Sequence, residues 1–370
     1  MAIYLDHAAT TPISEISLAE FNKQLKQIGN PSSLHNFGRE QRRALEEARE
    51  KIAAFINCAP SEVIFTASGT EADNLAIKGL YWKSGKKVIV ISGFEHKAVL
   101  EPAQWLVEKE GAELIEIPIT KDGIVDLDFL KDLVAKRGSE IALISVMHSN
   151  NEIGALQPID KVIEIAGEIP VHCDAVQSLL KVPVKFDGLT ALSISGHKVG
   201  GPVGVGALVL KRGLDIPALL HGGGQEREIR SGTINAPAIC AFAAALTTYP
   251  SAQISNLRDQ LIAGIKRLIP DSLINTPANS LPGIVNVSFP GTKGETLLLL
   301  LDLEGIACST GSACSAGVHR PSHVLLALGR TEDQAIGTLR FSLGALSTQE
   351  DINKVLEVLP NVVAKARSAK

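Results

Sequence analysis

Two residues of this chain, Asp174 and Lys198, have the chemical types and the spacing needed to hold an aromatic aldehyde. Asp174 ends the apolar segment VHCD, and Lys198 follows the next apolar segment, within SISGHK. A lysine amine forms a Schiff base with an aldehyde, and a carboxylate pairs with a protonated pyridine nitrogen, so together they could hold both ends of pyridoxal 5'-phosphate (PLP). The same pair also arises by chance, as a strand-end turn and a surface lysine, so other residues must decide.

Polar residues follow the other apolar segments as well. In open α/β sheets ligands collect beyond the carboxyl ends of the strands, so these positions test whether there is one site. Each position has a local alternative, because ASGTEADN can be an ordinary helix start, a lone histidine is often structural, and an Asn pair usually makes a turn. Five consecutive strand ends with suitable groups favour a single ligand site. Besides Asp174 and Lys198, these residues are Gly69, Thr70, Glu71, His96, Asn150, Asn151, Gln177 and His197.

Short apolar segments alternate with amphipathic ones from about residue 60 onward. Most are rich in Val and Ile without polar alternation, which is typical of strands buried on both faces of a parallel sheet. The pattern predicts a doubly wound α/β domain. The predicted strands are Val63–Thr66, Lys87–Ser92, Glu113–Ile117, Ile141–Met147, Pro170–Cys173, Ala191–Ser195 and Val205–Leu210, and helices between them include Glu71–Trp82, Lys97–Lys109, Leu127–Lys136 and Pro158–Ala166.

The pattern changes after a predicted helix at Ala236–Tyr249. We expect a large α/β domain with a mostly parallel seven-stranded sheet over residues 15–252, and a small α+β domain formed by residues 1–14 and 253–370. The later predicted elements are helices at Ile254–Leu268, Glu295–Glu304, Pro321–Leu328 and Gln349–Leu359 and strands at Ile284–Ser288 and Leu339–Ser342.

The bulk composition is that of a soluble globular protein, with 370 residues, 45% hydrophobic and 21% charged. The net charge of -4 is small, which argues against binding to nucleic acid or to an anionic membrane. No apolar run is long enough to span a bilayer, and the start, MAIYLDHAATTP, has no signal-peptide features. We therefore expect a cytoplasmic location.

The five cysteines are an odd number in a long chain, which does not indicate a disulfide framework. Cys58, Cys173 and Cys240 lie in apolar contexts and are interpreted as packing residues. Cys308 and Cys314 share the Gly- and Ser-rich segment ACSTGSACSAGVHRP, which is predicted to be a loop. Their C-x5-C spacing fits no standard zinc site, and packing explains a thiol in a polar loop poorly.

Long motifs spread over almost the whole chain match one known family. They are YLDHAATTP, GNPSSLHNFGR, GTEADNLAI, EHKAVLEP, HSNNEIGALQPI, HCDAVQS, SISGHKVGGP, GGGQEREIRSGT, STGSACSAG, PSHVLLALG and LRFSLG. Through these motifs the chain resembles the cysteine desulfurases, the NifS/IscS-like branch of the fold-type I PLP enzymes, in the class V aminotransferase-like family. The cysteine segment resembles that of the members with a long active-site loop.

The resemblance implies a role for each matching residue. Lys198 would be the Schiff-base lysine and proton shuttle, and Cys314 the nucleophile. Asn151 and Arg340 would bind the substrate carboxylate, with the arginine as a bidentate fork. The cofactor contacts would be Asp174 at the ring nitrogen, Gln177 at the ring hydroxyl oxygen, His96 on the ring face and in proton transfer, Gly69, Thr70, Ser195 and His197 around the phosphate, Asn151 beside the ring, and Thr233 at the phosphate of the other subunit of a homodimer.

The implied reaction converts L-cysteine to L-alanine. Lys198 would take the α-proton, and the Cys314 thiolate would attack the substrate sulfur to leave a persulfide for acceptor proteins in iron–sulfur cluster assembly or tRNA thiolation. The rival for the sulfur role is Cys308, which we interpret as a buried thiol. Direct binding of nucleic acid or membrane is not expected, and the C-terminal extension that docks an iron–sulfur scaffold in longer members is expected to be short or absent.

Four positions depart from the family pattern: His7, Gly200, Val203 and Arg320. They bear on the rate, the anchoring of the loop and the choice of acceptor, but not on the cofactor. Three alternatives stay open: a selenocysteine lyase or cysteine/cystine C–S lyase on the same scaffold, a non-catalytic relative, and a nucleotide-binding protein. The last would need a G-x-G-x-x-G turn after an early strand, and GGGQE at Gly222–Glu226 follows no predicted strand.

Overall fold

The computed structural model describes residues 2–311 and 321–369. Its strands are β1 (Ile3–Tyr4), β2 (Val63–Thr66), β3 (Val88–Ser92), β4 (Glu113–Ile117), β5 (Ile141–Ser145), β6 (Val171–Asp174), β7 (Ala191–Ser195), β8 (Gly206–Leu210), β9 (Leu273–Ile274), β10 (Ile284–Ser288), β11 (Ile306–Ala307) and β12 (Thr338–Ser342).

The helices alternate with these strands along most of the chain. They are α1 (Glu15–Leu25), α2 (Asn36–Phe55), α3 (Gly69–Ser84), α4 (Lys97–Glu110), α5 (Leu127–Arg137), α6 (Ile159–Ala166), α7 (Ala236–Ala245), α8 (Ser251–Leu268), α9 (Gly294–Leu303), α10 (His323–Ala327), α11 (Glu332–Ile336) and α12 (Gln349–Ser368).

The large sheet has seven strands in the order β2-β8-β7-β6-β5-β3-β4. The pairs from β7 to β4 are parallel, and β8 runs antiparallel to both β7 and β2. The predicted mostly parallel seven-stranded sheet is therefore confirmed, and each strand starts and ends within two residues of its predicted bounds. Parallel neighbours need crossover connections, which the intervening helices provide.

Both faces of this sheet are covered, which explains why its strands read as continuous apolar runs. Along β3, Val88 and Val90 belong to one hydrophobic cluster, while Ile89 and Ile91 belong to another. Successive side chains of a strand point to opposite faces, so the two clusters lie on the two sides of the sheet. The carboxyl ends of the parallel strands consequently meet along one edge.

A separate hydrophobic cluster contains Leu5 and otherwise residues from Ile254 to Ala366. In this part of the chain β10 pairs antiparallel with β12 and β9, and β1 pairs parallel with β11. The division into residues 15–252 and residues 1–14 with 253–370 stays a prediction. The membership of this cluster supports it.

Some helix bounds differ from the prediction. α7 ends at Ala245 instead of Tyr249, and α12 continues past Pro360 to Ser368 instead of ending at Leu359. Proline removes one helical hydrogen bond, but Val362, Val363 and Ala366 beyond it are buried in the third cluster, and this burial stabilises the last turns. The two helices before residue 60 were not predicted.

Candidate active site

A cavity of about 660 Å³ lies beyond the carboxyl ends of the parallel strands. A cavity of this size holds a cofactor together with a small substrate. Ten of the predicted site residues line it: Gly69, Thr70, His96, Asn151, Asp174, Gln177, Ser195, His197, Lys198 and Arg340. The strand-end prediction thus placed in one cavity residues that lie up to 129 positions apart in the sequence, from Gly69 to Lys198, and Arg340, which the resemblance implied, lines the same cavity.

The Lys198 amine is held by the N-terminal segment of the chain. Its Nζ donates to the carbonyl oxygens of Ala8 and Ala9, at 2.6 Å each. The segment is itself tied to the lysine turn, since Thr11 N donates to His197 O at 3.0 Å. Burial, and then the Arg340 charge, lower the pKa of Lys198 to about 8. A lysine near its pKa at neutral pH can act both as a nucleophile and as a proton shuttle.

Asp174 is a buried carboxylate at the end of β6. One of its oxygens accepts from Val176 N at 2.9 Å, and no ion-pair partner lies within 4.0 Å among residues 2–311 and 321–369. Burial raises the pKa of Asp174 to about 6, and Val176 N and Lys198 act against that rise. A carboxylate in such a place is suited to pairing with a cation, and a protonated pyridine nitrogen fits that requirement.

The start of α3 forms another wall of the cavity. Ser68 caps this helix by accepting from Glu71 N at 3.1 Å, and the first helical residues are Gly69 and Thr70. A Cβ at Gly69 would lie 2.6 Å from Val176 Cγ2, so this position requires glycine. Free amides at a helix start attract anions, which suits a phosphate group at this end. Ser195 and His197 line the cavity alongside, where the predicted phosphate contacts were expected.

His96 caps α4 at the mouth of the cavity. Its Nδ1 accepts from Ala98 N at 3.1 Å, so Nε2 carries the proton. The ring surface is open to the cavity, while the surrounding walls and the Lys198 charge lower the pKa of His96 to about 4. The imidazole is therefore neutral at physiological pH.

A buried polar group holds the turn that carries His96, and it was not predicted. Glu95 Oε1 accepts from Ser92 Oγ at 2.5 Å and from Met147 N at 2.7 Å, which ties the end of β3 to the end of β5. Burial raises the pKa of Glu95 to about 8. The available signal was a charged residue, Glu95, between the apolar Phe94 and His96, directly after a buried strand.

A second group of polar residues that was not predicted lies beside Asp174, around His172 of β6. His172 Nδ1 is 2.9 Å from Ser145 Oγ, its Nε2 is 3.0 Å from Ser193 Oγ, and Asp73 Oδ1 lies 3.5 Å from Nε2. Burial lowers the pKa of His172 to about 3 and raises that of Asp73. The signal was a histidine two positions before Asp174, on the same face of an apolar strand.

Arg340 is the cationic group at the other end of the cavity. Its Nη2 donates to Asp6 Oδ1 at 2.8 Å and its Nη1 donates to Asn151 O at 2.9 Å, while the buried Nε has no partner in the described part of the chain. The predicted neighbours Asn151 and Arg340 do meet, but through the asparagine backbone. Asp6 is a further contact that sequence reasoning missed.

Four predicted residues are not among the cavity-lining residues. Glu71 pairs with Arg230, and the Asn150 side chain accepts from Glu152 N and Ile153 N within its own turn. Thr233 is exposed and lies outside the cavity wall of this chain. Cys314 lies in residues 312–320, outside the described residues, as does the departure Arg320. Ser309 and Gly311 before that segment and Pro321, Ser322 and His323 after it all line the cavity.

Cys308 has the environment of a packing residue. It follows β11 and is packed against the third hydrophobic cluster. Burial, together with the nearby Asp6 carboxylate, raises the pKa of the Cys308 thiol well above its ordinary value. A protonated thiol is a poor nucleophile, which favours the interpretation of Cys308 as a buried thiol.

The structure accommodates the described departures locally. His7 is buried edge-to-face against Tyr4, and a Cβ at Gly344 would collide with the His7 ring. Gly200 has φ +84°, a backbone conformation that favours glycine, and its carbonyl accepts from Ser14 N at 2.8 Å. Val203 is 78% exposed beside the lysine turn, so it presents an apolar side chain to the surface.

No helix in the described ranges is long and apolar enough to cross a membrane. Within the same ranges no cluster of three or more His, Cys, Asp or Glu side chains could hold a metal ion.

Comparison with known proteins gives one consistent family. Residues 3–355 match the family model Aminotransferase class-V. The chain is 46% identical to an IscS-like cysteine desulfurase of Mycobacterium tuberculosis, over 99% of this chain and 97% of that protein. Among solved structures it is similar to a NifS-like protein, with a TM-score of 0.91 and 35% identity over 99% of this chain and 100% of the other. It is also similar to SspA in complex with cysteine, with a TM-score of 0.81 and 32% identity over 94% of this chain and 100% of the other.

Proposed function

The chain belongs to the class-V aminotransferase family and, within it, to the IscS/NifS cysteine desulfurases, and from this premise we propose how its cavity removes sulfur from L-cysteine. Enzymes of this class depend on PLP. Selenocysteine lyase and C–S lyase activity are not favoured, because the curated relatives that match the whole chain are cysteine desulfurases.

The residues of the cavity fit PLP. Asp174 supplies an unpaired buried carboxylate for the ring nitrogen, the start of α3 with Ser195 and His197 supplies donors for the phosphate, and Lys198 supplies an amine of lowered pKa for the aldehyde. His96 would contact the ring face and Gln177 the ring hydroxyl oxygen, and both line the cavity. When bound, PLP accepts the electron pair that is left when the Cα–H bond of an amino acid breaks.

The side chains divide the remaining work. Arg340 binds the substrate carboxylate, and this fixes the Cα–H bond toward Lys198, whose neutral amine takes the proton. Asp6 keeps the guanidinium in place through its 2.8 Å ion pair. His96 is neutral at rest, and as a proton relay it would take up one proton and release another, so it adds no lasting charge beside Lys198.

Cys314 is the proposed sulfur acceptor. Its thiolate attacks the substrate sulfur, so an S–S bond forms as the C–S bond breaks. The three-carbon fragment takes up a proton at Cβ, regains the Cα proton from Lys198 and leaves as L-alanine. The enzyme is left with a persulfide on Cys314, which a second thiol removes. The cavity-lining positions of Ser309, Gly311, Pro321 and Ser322 support this role, since they adjoin the segment that carries Cys314.

We further propose a cytoplasmic homodimer that passes sulfur to acceptor proteins for iron–sulfur cluster assembly or tRNA thiolation. Thr233 of each subunit would then contact the phosphate in the other subunit. Its exposure on the single chain agrees with this role.

The observation that carries the proposal is the meeting of Lys198, Asp174 and Arg340 in one cavity of a chain that is a desulfurase relative over 99% of its length. The test is product analysis with PLP-loaded protein, L-cysteine and a reducing thiol. We expect alanine and sulfide in equal amounts. Stoichiometric pyruvate instead of alanine would show a C–S lyase and reject the proposal.

A further inference from the structure

Lys181 is a lysine near the cavity to which the proposed reaction gives no role. It follows β6 by a short turn, and its Nζ donates to Gln177 Oε1 at 3.3 Å. Gln177 lines the cavity, whereas Lys181 does not. Any effect of Lys181 on a ligand must therefore pass through Gln177 or through its charge.

Two contacts select the same orientation of the Gln177 amide. Its Nε2 donates to Ala8 O at 2.8 Å, and its Oε1 accepts from Lys181. Turning the amide over would place its NH2 group against an ammonium and its oxygen against a carbonyl. A side-chain amide has two N–H donors, so one remains for an acceptor in the cavity. The Lys181 contact thus reinforces the orientation that Ala8 O selects, in which Gln177 is a donor toward the cavity.

Hydrogen bonds hold the backbone beside Lys181 in an unfavourable conformation. Leu180 has φ +69°, in the left-handed region that residues with a Cβ disfavour. Lys181 N donates to Ser178 O at 3.0 Å, and Lys181 O accepts from Ser251 Oγ at 2.9 Å. Strain that the surroundings maintain is found most often at functional sites.

The Lys181 amine faces other cations and lacks an acidic partner within 4.0 Å among the described residues. The groups that face it are His7 from the N-terminal segment, His197 and Lys198 from the turn after β7, and Arg340 from β12. Burial, then Lys198 and Arg340, lower the pKa of Lys181 to about 7. The residue is half-buried overall.

We propose that Lys181 is a positioning residue that helps to hold the Gln177 amide with its NH2 group toward the cofactor cavity and, while its amine is protonated, adds a positive charge behind that amide. The inference rests on the proposed function, because the acceptor in the cavity is the ring hydroxyl oxygen of PLP. Both effects stabilise negative charge on that oxygen and disfavour the protonated form of the lysine–cofactor linkage.

The test is the pH midpoint of the visible absorbance of the PLP-loaded protein, compared for wild type, Lys181→Met and Lys181→Arg. Loss of one nearby positive charge and one oriented donor is expected to raise the midpoint by about one pH unit. Lys181→Arg keeps the charge and a donor, so its midpoint should stay with the wild type. If Lys181→Met does not fold, Lys181→Gln takes its place, and because Gln loses the charge but keeps an N–H donor, its midpoint should rise by a smaller amount.

Two outcomes are distinguishable. If the wild type titrates normally and the midpoint of Lys181→Met or Lys181→Gln equals the midpoint of the wild type, the inference is overturned and the proposed function stands. A wild type that develops no visible absorbance with PLP would overturn the proposed function and this inference together. When Lys181→Met is added to Gln177→Ala, it should shift the midpoint by less than it does in the wild type. A shift of the same size in both backgrounds would show that Lys181 does not act through Gln177.

Discussion

At the residue scale, the central group is Lys198 with its lowered pKa. An amine must lose its proton before it can attack an aldehyde, and a pKa of about 8 instead of the ordinary 10.5 shifts that loss to lower pH. Two carbonyl acceptors hold the amine, and the Arg340 charge nearby disfavours its protonated form. Lys198 is therefore prepared to react near neutral pH.

We predict that the apoprotein captures PLP with a rate that rises with pH to a midpoint near 8. The measurement is the appearance of visible absorbance after PLP is added, over a pH series, with Lys198→Ala as the control that develops no such band. A rate that still climbs steeply between pH 9 and 10.5 would show an ordinary lysine.

Residues at strand ends were predictable from the sequence, whereas residues that act through other residues were not. Asp174, His96 and Lys198 follow apolar runs directly, so the edge of the sheet places them together. Glu95 and Lys181 matter through contacts to Met147 and Gln177, which depend on the packing of separate segments. No spacing rule in one sequence reports such contacts.

At the element scale, the turn after β3 is held by a buried carboxyl. Glu95 has a folded-state pKa of about 8, above the ordinary 4.5, so the folded protein keeps a proton that the unfolded chain loses between these values. The stability contribution of this group is therefore fully present below about pH 4.5 and is lost as the pH rises through about 8.

We predict that Glu95→Gln removes this pH dependence. Gln keeps the oxygen that accepts from Ser92 and Met147, so the variant should fold and should gain stability over the wild type as the pH rises from 5 to 8. Glu95→Ala leaves the buried Met147 N–H unpaired and should cost about 1–3 kcal/mol near pH 4.5, a cost that should shrink as the pH rises because the titrating carboxyl is also gone. The measurement is urea unfolding across pH. A constant difference between Glu95→Gln and wild type would contradict the protonated state.

The bounds of strands and helices were predicted accurately where an element is buried on both faces, and less accurately elsewhere. The strands of the large sheet agree within two residues, because a short apolar run between two helices buries all of its side chains only as a strand covered on both faces. α12 was predicted too short, because a proline is locally a helix breaker and only the cluster that buries Val362 and Val363 compensates for it.

At the scale of the whole molecule, the site proposed for each subunit takes Thr233 from the other. We predict that Lys198→Ala and Thr233→Ala subunits restore function when mixed. When a Lys198→Ala subunit pairs with a Thr233→Ala subunit, one of the two sites carries both substitutions and the other site carries neither. The mixture should therefore desulfurate L-cysteine faster than either variant alone. A mixture that only averages the two variants, although it exchanges subunits, would contradict a shared site.

The role of Cys314 is the central claim about how this molecule moves sulfur. The most direct measurement follows alanine production together with the protein mass after L-cysteine is added without a reducing thiol, for wild type, Cys314→Ala and Cys308→Ala. The account predicts alanine and a gain of one sulfur atom in the wild type, neither in Cys314→Ala, and most of both in Cys308→Ala. Persulfide and alanine that survive in Cys314→Ala but disappear in Cys308→Ala would contradict it.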